Sequence, residues 1–235
     1  LIDIPSTSFL WAGLIFFGIL QMIVYWLVYE GFGKGQVSVL NPVFASFTGL
    51  VAIISIVFFR EQVSVSRFVA IAVIFCGVMM ISMDLTALRS GKIKLDHVPG
   101  LKEIGLAALL AAIWTLSWDK FVGGQDSLSV TLFMYGFMTV AAYLLARVKV
   151  VKLSLVKSDL WKFLVLIGLG EVIAYLGITW GYASTSLTSV VAVISGAFSL
   201  PTIILARVFL KEKVVAVQTV GSLVIIAGII ILSLS

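Results

Sequence analysis

The sequence predicts an all-α membrane protein: a polytopic helical bundle with two inverted-topology repeats, about eight helices being present of an expected ten. Composition, run length and an internal repeat carry that prediction. Of 235 residues, 61% are hydrophobic and 11% charged, and mean hydropathy is +1.20. A water-soluble domain is roughly half apolar and a quarter charged, so lipid is the solvent for most of this chain. The apolar residues fall in runs of about 18 to 22, long enough to cross a bilayer as helices. Barrel strands would alternate over about ten residues, whereas these runs are apolar all round.

The spans follow from the punctuation between them. Phe9 to Tyr29 runs into Gly31-Phe-Gly-Lys-Gly35, a tight turn that lacks the spacing and the preceding strand of a phosphate loop. Ser38 to Phe59 is closed by Arg60-Glu-Gln62, and Ser64 to Met83 is followed by a basic connection from Asp84 to Lys102. Glu103 to Phe121 ends at Gly123-Gly124, and Leu128 to Ala146 at a second basic connection, Arg147 to Leu160. Trp161 to Tyr182, Thr188 to Phe209 and Val214 to Ser233 complete the series, the last two joined by Lys211-Glu-Lys213.

Sliding the chain by 151 residues superposes Ser38 on Ser189, Phe47 on Phe198, Glu61 on Glu212, Val73-Ile74 on Val224-Ile225, Gly77 on Gly228 and Ser82 on Ser233. Shared Val and Ile are common between apolar helices. The matching turns, Phe-Phe-Arg-Glu-Gln-Val and Phe-Leu-Lys-Glu-Lys-Val, are not. An odd number of spans separates repeat mates, so the copies cross the membrane in opposite senses. The domains are then residues 1–83, a first repeat lacking its first two helices, 84–102, a basic inter-repeat loop, and 103–235, the second repeat. If the first copy is complete, two helices precede Phe9.

The net charge of +5 does not point to nucleic acid, because the Lys and Arg residues lie in connections and not on one helical face. The lone Cys76, inside an apolar run, and the lone loop His97 exclude a disulfide framework, a cysteine or zinc-protease metal site and a Ser-His-Asp site within the membrane. Cys76 reads as a buried small hydrophobe. The reading is therefore of a non-enzyme with no cofactor and no metal. Its partners are a small-molecule substrate and the lipid bilayer, and a homodimer is admitted.

Ionisable groups inside spans raise a functional hypothesis. Glu171, in the middle of its span, reads either as a proton-coupling carboxylate or ligand for a substrate amine, or as a protonated acid bonded to a neighbouring helix. Tyr175 lies four residues on, on the same helical face, and Gln21 and Tyr25 repeat that spacing. Under the repeat shift Glu171 falls on Leu20, beside Gln21. These four form the expected cavity wall. Trp114 is a deeper aromatic candidate for a cation or planar group, whereas Trp118, Asp119 and Lys120 read as an interface belt with a rim ion pair. Asn41, beside Pro42, and Ser195, Gly196, Ser199 and Pro201 in the repeat mate can open a helix toward substrate or simply permit close packing; Gly177 and Gly181 read as a packing pair. Trp11, Trp26 and Trp180 read as anchors near span ends, and Glu61 and Glu212 as helix-end electrostatics.

The repeated hairpin, Ser38 to Ser82 and Ser189 to Ser233, each preceded by an aromatic-rich helix, resembles the EamA-type permeases of the drug/metabolite transporter superfamily. The resemblance implies ten helices, a substrate cavity between two halves, alternating access and no covalent chemistry. Its members move amino acids, other metabolites, nucleotide-linked sugars or toxic compounds. The implied protein is a multi-pass transporter of small metabolites in the inner or plasma membrane; proton coupling through Glu171 is one of the two readings of that residue given above and is not implied by the resemblance. A non-transporting scaffold or sensor on the same fold is the alternative. One departure is the proline, at Pro42 in one copy and displaced to Pro201 in the other, which predicts different helix breaks. Orientation is in conflict: the side carrying Lys34, Arg89, Lys92, Lys94, Arg147 and Lys211 is far more basic and puts the C-terminus outside, whereas the family pattern puts it in the cytoplasm.

Overall fold

A computed structural model describes residues 2–35, 37–82, 98–149, 160–198, 200–201 and 215–234. Among them there is no strand. The helices are α1 (Ser8–Lys34), α2 (Val37–Ala45), α3 (Phe47–Val57), α4 (Val65–Ser82), α5 (Leu101–Val122), α6 (Ser127–Val148), α7 (Trp161–Ser184), α8 (Thr188–Gly196) and α9 (Ala216–Ser233). Of these α1, α5, α6, α7 and α9 are long and apolar enough to cross a membrane. His97, the Arg89 to Lys94 charges, Lys152, Lys157, Ser199 and the Arg207 to Val214 turn with Glu212 lie outside the described residues.

The chain divides into two compact units, Leu1–Ile23 with Ser117–Ser186, and Val24–Leu116 with Leu187–Ser235. In the second unit α4 lies along α9. The crossing depends on glycine: a Cβ at Gly77 would stand 2.8 Å from Ile225 and 2.9 Å from the Gly221 carbonyl oxygen. Gly228 in turn faces Ile74, and Gly221 faces Ile81. As the chain rises through Ile74, Gly77 and Ile81 the partners descend through Gly228, Ile225 and Gly221, so the pair is antiparallel. The contacts are also reciprocal under the 151-residue shift, which exchanges Gly77 with Gly228 and Ile74 with Ile225. Small residues bring the backbones together, and van der Waals contact replaces the hydrophobic drive that lipid removes.

Several details depart from the sequence reading. The predicted turn at Gly31 is helical as far as Lys34, because Lys34 pairs with Glu30 at 2.6 Å and with Glu103 at 2.7 Å and Gly31 admits Ile104 and the Gly100 carbonyl oxygen. The predicted span from Ser38 is interrupted at Ser46. There the Ser46 hydroxyl donates to the Val43 carbonyl oxygen at 2.6 Å and that of Thr48 to Ala45 at 3.0 Å, side-chain bonds that compete with the helical ladder. In the second copy α8 stops at Gly196, where Ser195 donates to Ala192 at 2.7 Å and the Ala197 amide makes a tight bond to Ile194. Ala197 is the repeat mate of Ser46, so the breaks share one register although the prolines do not. Cys76 is exposed rather than buried, since the packed face of α4 runs through Ala70, Ile71, Ile74, Val78 and Ile81.

The turn after α3 places Glu61. Arg60 adopts a left-handed φ of 53°, rare for a residue with a side chain, and the Glu61 carboxylate reaches the first turn of α8. It accepts the Ser189 amide at 3.2 Å and the Ser189 hydroxyl. The helix-end role read from the sequence is therefore exercised on a helix of the other repeat sequence, where a negative charge meets free amides and the positive end of the dipole.

Candidate functional site

Polar side chains within apolar helices are costly in lipid, so their location marks where a membrane protein does more than span. In the first unit they gather on the inner stripe of α7. Glu171, Tyr175, Thr179 and Tyr182 recur at three- and four-residue spacing and so share one face. The opposite tendency rules the start of the helix, where every residue from Leu160 to Gly170 is exposed and all but Lys162, near the helix end, are apolar and suited to lipid.

The centre of the stripe is a cluster of three helices. Gln21 of α1, 4% exposed, donates its side-chain amide to the Tyr175 hydroxyl. Tyr135 of α6 meets the Tyr175 ring edge to face, with centroids 5.6 Å apart and planes at 89°. The Tyr135 hydroxyl is buried without a hydrogen-bond partner among the described residues. Glu171 stands half-buried one turn before Tyr175, at the border between the cluster and the exposed start of α7. The group offers a carboxylate for an amine or a proton, a hydroxyl able to donate and accept, and aromatic surface for a planar or cationic group.

A second group lies nearer the helix ends. Trp118 of α5 donates its indole N–H to Thr179 at 3.2 Å, and Thr131 of α6 lies 3.1 Å from the same hydroxyl. All three are buried, Trp118 completely. Trp118 is therefore a core residue and not an interface anchor, while its neighbours Asp119 and Lys120 do form an ion pair, at 3.4 Å. On α6 the Asp126 carboxylate caps the helix by accepting the Ser129 amide and hydroxyl, which holds its pKa below the ordinary aspartate value.

The structure thus brings together Gln21, Glu171 and Tyr175. The other sequence candidates belong to the second unit: Tyr25 is half-buried and stacked on Tyr29, Asn41 is half-buried in α2, and Trp114 is buried in α5. Gly196 packs against Thr48, as a packing role requires, whereas Gly177 has no neighbour within 4 Å of a Cβ and packs against no helix among the described residues. Trp180 is exposed, in keeping with an anchor, and Trp11 packs edge to face on Phe133 and Phe137. Sequence reasoning missed Tyr135, Thr131 and Thr179. The threonine on α7 was accessible from spacing alone, since it continues the stripe from Glu171; Tyr135 is one of two tyrosines, with Tyr143, in an apolar run, and nothing in the spacing singles it out.

A family model described as the EamA-like transporter family matches residues 2–83 and 100–234. A crystal structure titled only as that of a protein superposes with a TM-score of 0.77 at 16% identity, covering 99% of this chain and 80% of the other. That likeness shows the fold alone. No curated protein matches the sequence.

Proposed function

The chain belongs to the EamA-like transporter family, and from that premise we propose that it moves a small polar metabolite by alternating access, with Gln21, Tyr135, Glu171 and Tyr175 as its binding cluster. It is an integral membrane protein of the drug/metabolite transporter type. The observation that carries the finer reading is the Gln21 to Tyr175 bond beside an unpartnered buried Tyr135 hydroxyl, a set of exchangeable polar groups where three apolar helices meet. Glu171 couples transport to protons: it gives up its proton when the substrate arrives and regains it on the other side. The reciprocal, antiparallel contacts of α4 and α9 support two repeats of opposite sense, the arrangement on which alternating access operates. We assign the protein to the inner or plasma membrane, which suits a helical bundle.

The test is uptake by full-length protein in liposomes, driven by a pH gradient and read from a broad metabolite mixture. Native protein accumulates a substrate class and Glu171→Gln does not, while Tyr135→Phe raises the substrate concentration needed for half-maximal uptake. Equal uptake by native protein and Glu171→Gln ends the coupling role, and absence of uptake by both ends the transport reading for the compounds offered.

A further inference from the structure

We propose that the C-terminal ends of α5 and α7 form a second binding site, for the ammonium group of a small organic solute, held by Asp119 and Tyr182. A cavity of about 450 Å³ opens there, lined by Asp119, Lys120, Tyr182 and the Ser184-Thr185-Ser186 turn among others. Asp119 is 8% exposed and Tyr182 4%, so both polar groups are withdrawn from bulk water. The Tyr182 hydroxyl has no hydrogen-bond partner among the described residues, and a buried unpaired hydroxyl is costly unless a ligand or water meets it.

Charge selects the ligand. Both helices end at this cavity, so the negative ends of two helix dipoles and their last carbonyls lie around the Asp119 carboxylate. The Lys120 ammonium, whose side chain is 64% exposed, touches Asp119 from the solvent side at 3.4 Å. A ligand ammonium takes that place with better geometry: it donates to the carboxylate, to the Tyr182 oxygen and to a hydroxyl of the turn. The volume exceeds many times the roughly 30 Å³ share of one water, which suits an organic amine and not a bare inorganic cation. Tyr182 lies two turns beyond Tyr175 on the same face of α7, about 10 Å along the axis. The site is thus a separate station on the polar stripe, and it exists whether or not the Glu171 cluster carries substrate.

The experiment is equilibrium dialysis of radiolabelled ethanolamine against full-length protein in nanodiscs, carried out in the Glu171→Gln background to remove the other carboxylate. Saturable binding is expected, weakened about tenfold or more by Asp119→Asn and about threefold by Tyr182→Phe. Tyr182→Phe removes a hydroxyl that bonds nothing in the described structure, so its melting temperature stays at the parent value and the affinity change reports the site. The proposal is overturned by absence of saturable binding or by unchanged affinity in both variants. It is equally overturned if sodium or potassium displaces ethanolamine as well as unlabelled ethanolamine does.

Discussion

In the second unit α9 meets its neighbour through Gly221 and Gly228, each close enough to α4 that a Cβ would strike it, whereas in the first unit Gly168, Gly170 and Gly177 of α7 face no described atom within 4 Å. Helix α7 is tied instead by Gln21, Thr131 and Trp118, through hydroxyl and amide bonds to Tyr175 and Thr179. Gly18 does give α1 and α6 a close crossing, so the contrast belongs to α7 and not to its whole unit. The physical lesson concerns what can move. A glycine crossing gains its energy from many short contacts that are lost together when one helix slides, so it acts as a fixed hinge plate. A hydroxyl bond can be exchanged for a bond to substrate or water at little net cost, so a helix held that way is free to reset.

The sharpest way to break this contrast is to put side chains on the two kinds of glycine. Gly77→Leu drives a branched side chain into Ile225 and the Gly221 carbonyl; a loss of about 3 kcal/mol or failure to recover folded protein is expected. Gly177→Ala enters open space in a helix and leaves stability equal or raised by up to about 1 kcal/mol. Thermal unfolding in detergent, followed by size-exclusion, measures both. Equal damage from the two would show that α7 is packed as tightly as α9 and would remove the distinction.

Next in size is Thr179→Val, which strands the Trp118 indole N–H and the Thr131 hydroxyl in a buried place. A loss of about 1–2 kcal/mol is expected, the upper part of the range for interhelical bonds in membranes. Trp118 fluorescence should shift as its partner is lost. An unchanged melting temperature would show that water or another group replaces Thr179 and that this network does not anchor α7.

The fold was legible because lipid imposes a rule that sequence displays directly: each span must be an apolar helix, and repeat mates must keep the same small residues where backbones touch. Gly77 and Gly228 were visible as a repeat pair before their contact was known. The shared break at Ser46 and Ala197 was not, because the prolines drew attention while the hydroxyls of Ser46, Thr48 and Ser195 made the competing bonds. The site was legible in part. Gln21, Glu171 and Tyr175 stood out as polar residues in apolar spans, yet their convergence depends on how α1 and α7 pack, and Tyr25, with the same spacing from Gln21 as Tyr175 from Glu171, belongs to the other unit. Trp118 was misread because its place near a helix end is also where anchoring tryptophans occur; Thr179 on another helix decides the matter.

A smaller effect separates binding from scaffolding at the cluster itself. Tyr175→Phe removes the acceptor of the Gln21 amide but keeps the ring against Tyr135. About 0.6 kcal/mol of stability is expected to go, the average for such bonds in membrane proteins, while half-maximal uptake moves by more than that energy accounts for. If stability and uptake change in step, Tyr175 is a strut and not a substrate contact.

The smallest expected effect lies at the exposed end of the first unit, where electrostatics can be titrated. Asp126 accepts two bonds from Ser129 in the folded chain, so its folded pKa lies below the unfolded one near 3.8. A depressed acid contributes stability above the unfolded pKa and loses it as pH falls through the folded pKa. Asparagine has the shape of the protonated acid without its charge. The native protein should therefore melt slightly above Asp126→Asn at neutral pH, with the gap closing below about pH 4. If the Asp126 gap persists unchanged into acid, the cap acts through shape alone, and charge has no part in fixing the start of α6.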